Sequence, residues 1–183
     1  MTDFLIRKFI KNYEDTENNA VRTQYGKFSS FVGILCNIML FGGKFVAGLL
    51  SGSVSIMADA VNNLSDASSS IISLLGFKLA ERPADAEHPY GHGRYEYLSG
   101  MLVAVIIILI GFELLKSSFD KVLHPEPVEF NLVSIWILAA SILVKLWMMM
   151  FNRRIGNKIS SSTLIATAAD SRNDVISTSA VLV

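Results

Sequence analysis

Residues 101–115 read MLVAVIIILIGFELL, an apolar run broken by a single charge, Glu113. A helix that crosses a bilayer needs about 20 mostly apolar residues. With its flanks this run supplies them, and it predicts a spanning helix over 97–119. FVGILCNIMLFGGKFVAGLL (31–50) and LVSIWILAASILVKLWMMMF (132–151) are of the same kind and predict helices over 28–50 and 131–151. Two further segments, 53–77 and 161–183, are long enough but studded with Ser, Asn, Asp and Thr. Taken alone, these two also fit amphipathic surface helices.

The composition agrees with a membrane protein. Of 183 residues, 51% are hydrophobic and 17% charged, where a soluble domain carries about a quarter; the mean hydropathy is +0.45. A net charge of zero argues against a nucleic-acid partner, which needs a basic surface. One cysteine, Cys36, excludes an intrachain disulfide. Residues 1–27 are polar and mixed in charge, with no signal-peptide pattern.

Basic residues decide the two weak segments. Arg7, Lys8, Lys11, Arg22 and Lys27 precede the first helix; Lys78, Arg82 and Arg94 follow the second; Arg153, Arg154 and Lys158 follow the fourth. The alternate connections hold only Lys116 and Lys121. This asymmetry makes the N-terminus cytoplasmic, and it holds only if segments two and five also span. The expectation is an all-α integral membrane bundle of five helices. It has a cytoplasmic N-terminal segment, 1–27, and a transmembrane domain from 28 to 183. The odd count reads as a piece of a longer chain.

Ionisable residues at bilayer depth are costly and mark functional sites. Asp170 and Asp174 in ATAADSRNDV (166–175) are four apart and share a helix face, while Arg172 points roughly the opposite way. Two adjacent carboxylates repel unless a cation or protons intervene. In the second segment Asp59, Asn62 and Asp66 form a stripe at i, i+3, i+7. At about 1.5 Å per residue the two stripes meet near the middle of a core roughly 30 Å thick. Spacing leaves open whether Asp59–Asn63 or Asn62–Asp66 is the pair that faces Asp170 and Asp174. Oxygen donors without imidazole or thiolate suit a hard divalent cation such as Mn²⁺, Mg²⁺ or Ca²⁺. For Asn63 and the serines of SSSIIS (68–73), the expected role is hydrogen bonding between helices.

Three stretches, GSVSIMADAVNNLSDASSS (52–70), ERPADAEHPYGHGRYEYLSG (81–100) and KLWMMMFNRRIGNKISS (145–161) leading into ATAADSRNDV, resemble the cation diffusion facilitators, proton-coupled exporters of divalent metals. The resemblance implies a transport site at Asn62, Asp66, Asp170 and Asp174, with Asp59 as a flanking residue. It implies no prosthetic group, the transported metal and protons being the only ligands. Zinc-exporting members typically place His at one of these positions, often where this chain has Asp170. An Asn-Asp-Asp-Asp set resembles the manganese-exporting branch. The resemblance also implies a truncated six-helix domain, with a sixth helix and a cytoplasmic C-terminal domain absent from this chain, and a homodimer in the cell membrane.

In the loop PADAEHPYGHGR (83–94), Asp85, His88 and His92 form a second candidate metal set, the one that binds a further cation in zinc-transporting relatives. His124 reads as a loop residue on the outer side. Lys44 and Lys145 lie inside helices, and snorkelling towards the membrane surface accounts for them. Tyr95, Tyr97, Trp136 and Trp147 fall where an interfacial aromatic belt would. FLIRKFIKNYED (4–15) has one apolar and one basic face and reads as a helix on the membrane surface or in solvent. The leading function is proton-coupled Mn²⁺ efflux. The alternatives are Zn²⁺, Fe²⁺ or Co²⁺ efflux by the same site and, from another class, an uncoupled cation channel.

Overall fold

The computed structural model describes residues 6–7, 9–10, 13–16, 18–51, 54–123 and 132–182. Five long helices carry the chain: α1 (Asn19–Ser51), α2 (Val54–Ala80), α3 (Arg94–Leu123), α4 (Leu132–Lys158) and α5 (Ser162–Leu182). No strand occurs among the described residues. Lys8, Lys11, residues 52–53, His124 with the connection after it, and Val183 lie outside them.

Long apolar stretches form helices here because a bilayer offers the backbone no hydrogen-bond partner but itself. α1, α3 and α4 are apolar and long enough to cross on composition alone, over Asn19–Leu50, Arg94–Glu113 and Ile135–Lys158. Their outward faces expose large apolar side chains, among them Met39, Leu109, Phe112, Leu115 and Leu143. That inverts the surface of a water-soluble protein and fits lipid. α2 and α5 do not reach the same apolarity. They pack inside the bundle instead, α2 on α1 and α3, and α5 on α4 and α3.

Several helices run past their expected ends. α1 starts at Asn19 rather than 28, because Val21, Tyr25 and Phe28 continue its apolar face. α4 continues to Lys158 rather than 151, since Phe151, Ile155 and Ile159 still face the core. Successive helices alternate in direction, and one end of the bundle is closed by a core of Tyr25, Phe77, Phe151, Ile155 and Leu164. The N-terminal residues Ile6 and Ile10 insert into this core, and Phe9 stacks on Phe28 at 5.3 Å. Among the described residues of this segment, the apolar side chains Ile6 and Ile10 find a protein surface to bury against.

Close approach of the helices depends on small residues. A Cβ on Gly26 would run into the ring of Phe77, and one on Gly76 would run into Ser99 Oγ. The α4–α5 turn closes through Ser161 N–H donating to Gly156 O at 2.9 Å, with Ser160 in the left-handed region at φ 51°. That is the bonding pattern of a helix C-terminal cap, made with serine where glycine is usual. Arg22 completes the cap: its Nε donates to Ile159 O at 2.8 Å, and its Nη2 to Glu96 Oε1 at 3.0 Å. One side chain of α1 therefore joins the start of α3 to the turn that launches α5.

Candidate metal centre

Asp66 lies near the middle of α2, and Asp170 and Asp174 lie one turn apart on α5. The packing of α2 and α5 inside the bundle brings them together: one carboxylate oxygen from each of the three lies within 4.8 Å of the others. Asp66 is buried, and Asp170 and Asp174 are half-buried. Asn62, one turn before Asp66, reaches the same group, its Nδ2 standing 3.5 Å from Asp174 Oδ1. The Asn62–Asp66 register thus faces α5. Asp59 does not join the group; its Oδ2 pairs with Lys44 Nζ at 2.8 Å.

The lysines differ from the expectation. Lys145 does not snorkel: its Nζ is 2.6 Å from Asp66 Oδ2 and 2.6 Å from Asp174 Oδ2, and the side chain is 4% exposed. The reason is the true end of α4. Lys145 stands 13 residues before Lys158, about 20 Å from the end of the helix, at the level where α2 and α5 present their carboxylates. Lys44, 3% exposed, also turns inward, to Asp59. A charge buried in a bundle needs an opposite charge, and these two ammonium groups have found theirs. The cation missing from the sequence argument is thus partly supplied by the protein. With all three carboxylates ionised, one ammonium leaves two negative charges for a cation or protons to neutralise.

Asn63, Ser68 and Ser73 also depart from expectation. Asn63 Nδ2 donates to Asp59 O at 2.9 Å, Ser68 Oγ to Leu64 O at 3.1 Å and Ser73 Oγ to Ser69 O at 3.1 Å, all within α2. Bonding to the carbonyl one turn back satisfies these groups without a second helix. The polar links between helices lie elsewhere, as in Ser29 Oγ to Asn152 Oδ1 at 2.6 Å.

The loop between α2 and α3 gathers the second set. Asp85 Oδ1 accepts from His88 N–H at 2.7 Å and Glu87 N–H at 3.1 Å. The backbone N–H of His88 holds the Asp85 carboxyl below its ordinary range. Asp85 is 3.4 Å from both imidazoles, Oδ1 to His88 Nδ1 and Oδ2 to His92 Nε2. Gly91, at φ 80°, supplies the left-handed turn that lets the chain double back. His92 Nδ1 stands 3.0 Å from Pro83 O. A proton on Nδ1 donated to that carbonyl leaves the Nε2 lone pair facing Asp85, the second-shell arrangement found behind metal-bound histidines. Of the expected belt, Tyr97 and Trp136 are exposed, whereas Trp147 stacks inward on Phe151 at 5.0 Å.

Residues 30–183 match the cation efflux transmembrane domain. Among similar proteins, an uncharacterized transporter of Methanocaldococcus jannaschii is 34% identical over 83% of this chain and 54% of its own length. Manganese efflux system protein MneS of Bacillus subtilis is 28% identical over 81% of this chain and 51% of its own. Metal tolerance protein 2 of Oryza sativa subsp. japonica is 30% identical over 80% of this chain and 44% of its own. The chain spans about half the length of the curated relatives it matches. With the matched domain covering most of the sequence, the chain belongs to the cation efflux family of membrane transporters.

Proposed function

We propose that this protein exports a divalent metal cation from the cytosol in exchange for protons, with Mn²⁺ as the preferred cargo. The observation that carries this reading is the convergence of Asp66, Asp170 and Asp174 to within 4.8 Å inside an apolar bundle, with Asn62 beside them. Fully ionised, such a group exceeds its internal counter-charge by two, the charge of one divalent ion. Its donors are all oxygen, which favours a hard cation over one that gains from imidazole or thiolate. The relative whose name specifies manganese efflux points the same way.

Asp66, Asp170 and Asp174 hold the cation as carboxylates and release it when protons take its place. Asn62 contributes its amide oxygen, a rotation of the amide group exchanging Nδ2 for Oδ1. Asp85, His88 and His92 form a second, accessory cation site in the loop, with the Pro83 carbonyl orienting His92. Arg22, Lys27, Lys78, Arg82, Arg94, Arg153, Arg154 and Lys158 all belong to the bundle end that carries this loop, so that end faces the cytosol. The protein acts in the cell membrane as a homodimer and needs no prosthetic group.

The test is metal flux in proteoliposomes with and without an imposed pH gradient. Gradient-driven Mn²⁺ movement supports the reading. Zn²⁺, Fe²⁺ or Co²⁺ moving in place of Mn²⁺ overturns the choice of metal alone. Rapid flux indifferent to the gradient makes the protein a channel.

A further inference from the structure

Lys145 has no place in the mechanism so far, yet its ammonium contacts an oxygen on two of the three carboxylates that would hold the metal. At 2.6 Å from both Asp66 Oδ2 and Asp174 Oδ2, it makes two short, charge-assisted contacts. A small divalent ion bound by these carboxylates stands about 2.1 Å from their oxygens. Ammonium and metal cannot both hold the same oxygens at such distances, and two like charges packed that closely repel. We propose that Lys145 is a tethered competitor for the cargo: a divalent ion enters by displacing its ammonium, which returns when the ion leaves.

Two consequences follow from the chemistry, both resting on the metal-transport reading above. First, Asp66 and Asp174 are never left without a cation, so their half of the cluster does not have to be reassembled for each ion. Second, the site discriminates by charge. A free Na⁺ or K⁺ gains no more from the carboxylates than the tethered ammonium it must replace, whereas a divalent ion gains about twice as much. Lysine suits this role. Its compact charge sits on a flexible stem, where arginine would lock on with a planar fork.

Asn37 of α1 would be the landing place. Ser29 of α1 bonds Asn152 of α4, which aligns the two antiparallel helices. Eight residues on from Ser29, about 12 Å along the axis, comes Asn37; seven back from Asn152, about 10 Å, comes Lys145. Asn37 is 2% exposed, and its Oδ1 has no hydrogen-bond partner. A buried acceptor left unpaired is costly, and a displaced ammonium at this level would satisfy it.

The experiment is calorimetric titration of the purified full chain with MnCl₂. Lys145→Met keeps the length of the side chain and removes the charge. Losing the competitor tightens Mn²⁺ binding by about ten- to a hundredfold, the worth of the charge-assisted contacts that the metal no longer has to break. Lys145→Arg, with its charge kept, gives no tightening. In Lys145→Met, NaCl inhibits Mn²⁺ binding more than choline chloride at equal ionic strength, while the wild type treats the two salts alike. A lysine that only holds the helices together predicts the opposite, weaker binding in Lys145→Met, and that result overturns the proposal.

Should Lys145→Met fold poorly, the charge-balanced pair Asp174→Asn and Asp174→Asn/Lys145→Met asks the same question. Tightening from the first to the second supports competition, and no change or loosening rejects it. Asn37→Leu weakens Mn²⁺ binding in the wild type but not in Lys145→Met; equal weakening in both removes the landing role. Asp66→Asn separates this inference from the transport reading. Unaltered Mn²⁺ binding there defeats the reading itself. Lost binding there, with no tightening in Lys145→Met, defeats the lysine's role alone.

Discussion

Replacing Arg22 by Met keeps the apolar stem and removes the guanidinium that joins three parts of the bundle. Two close contacts are lost, Nε to Ile159 O at 2.8 Å and Nη2 to Glu96 Oε1 at 3.0 Å, together with a longer one from Nη2 to Ser160 O at 3.5 Å. A hydrogen bond involving a charged group contributes about 1.5–3 kcal/mol when buried. The Arg22 side chain is 24% exposed and that of Glu96 7%, so water screens part of the interaction, while Glu96 keeps the favourable field of the first turn of α3. The net cost is about 2–3 kcal/mol. Arg22→Lys retains a charge but reaches one partner at a time and costs about half as much. The assay is reversible unfolding in mixed micelles, completed by a double-mutant cycle with Glu96→Gln. A change below about 0.5 kcal/mol in Arg22→Met, with no coupling to Glu96, would refute the claim that this residue ties α5 into the bundle.

Other predictions concern the metal sites and the turn. Asp170→His brings an imidazole to the cluster and shifts relative transport towards Zn²⁺ at the expense of Mn²⁺; competition between the two ions in proteoliposomes reads the ratio, and an unchanged ratio counts against the oxygen-donor argument. His92→Ala retains transport at a reduced rate, because the loop lies outside the membrane path; complete loss would make the loop part of the transport site. Ser160→Gly relieves a non-glycine residue at φ 51° and raises stability by about 0.5–1 kcal/mol, measured by thermal unfolding in detergent.

The helices were legible because three of them are apolar almost throughout, and because the alternation of basic residues holds only if the two polar segments also cross. Local geometry was equally legible: four residues on a helix make one face, so Asp170 and Asp174 had to point together. The helix ends were not. FNRRIGNK (151–158) is charged enough to pass for a loop, yet Ile155 is fully buried and the helix continues beneath it. That error set Lys145 too near a helix end. Its contacts with Asp66 and Asp174 join residues 79 and 29 positions apart, so only packing brings them together. The one available signal was a lysine inside a segment otherwise apolar enough to span.

The most direct test is the initial rate of Mn²⁺ movement into proteoliposomes under an imposed proton gradient, compared between the wild-type full chain and Asp66→Asn, Asp170→Asn and Asp174→Asn. Each substitution removes one of the three carboxylates while leaving a side chain of the same shape. The account predicts gradient-driven Mn²⁺ movement in the wild type and its loss in all three variants, each still inserted in the membrane. Transport at the wild-type rate by the Asp170 and Asp174 variants would contradict it.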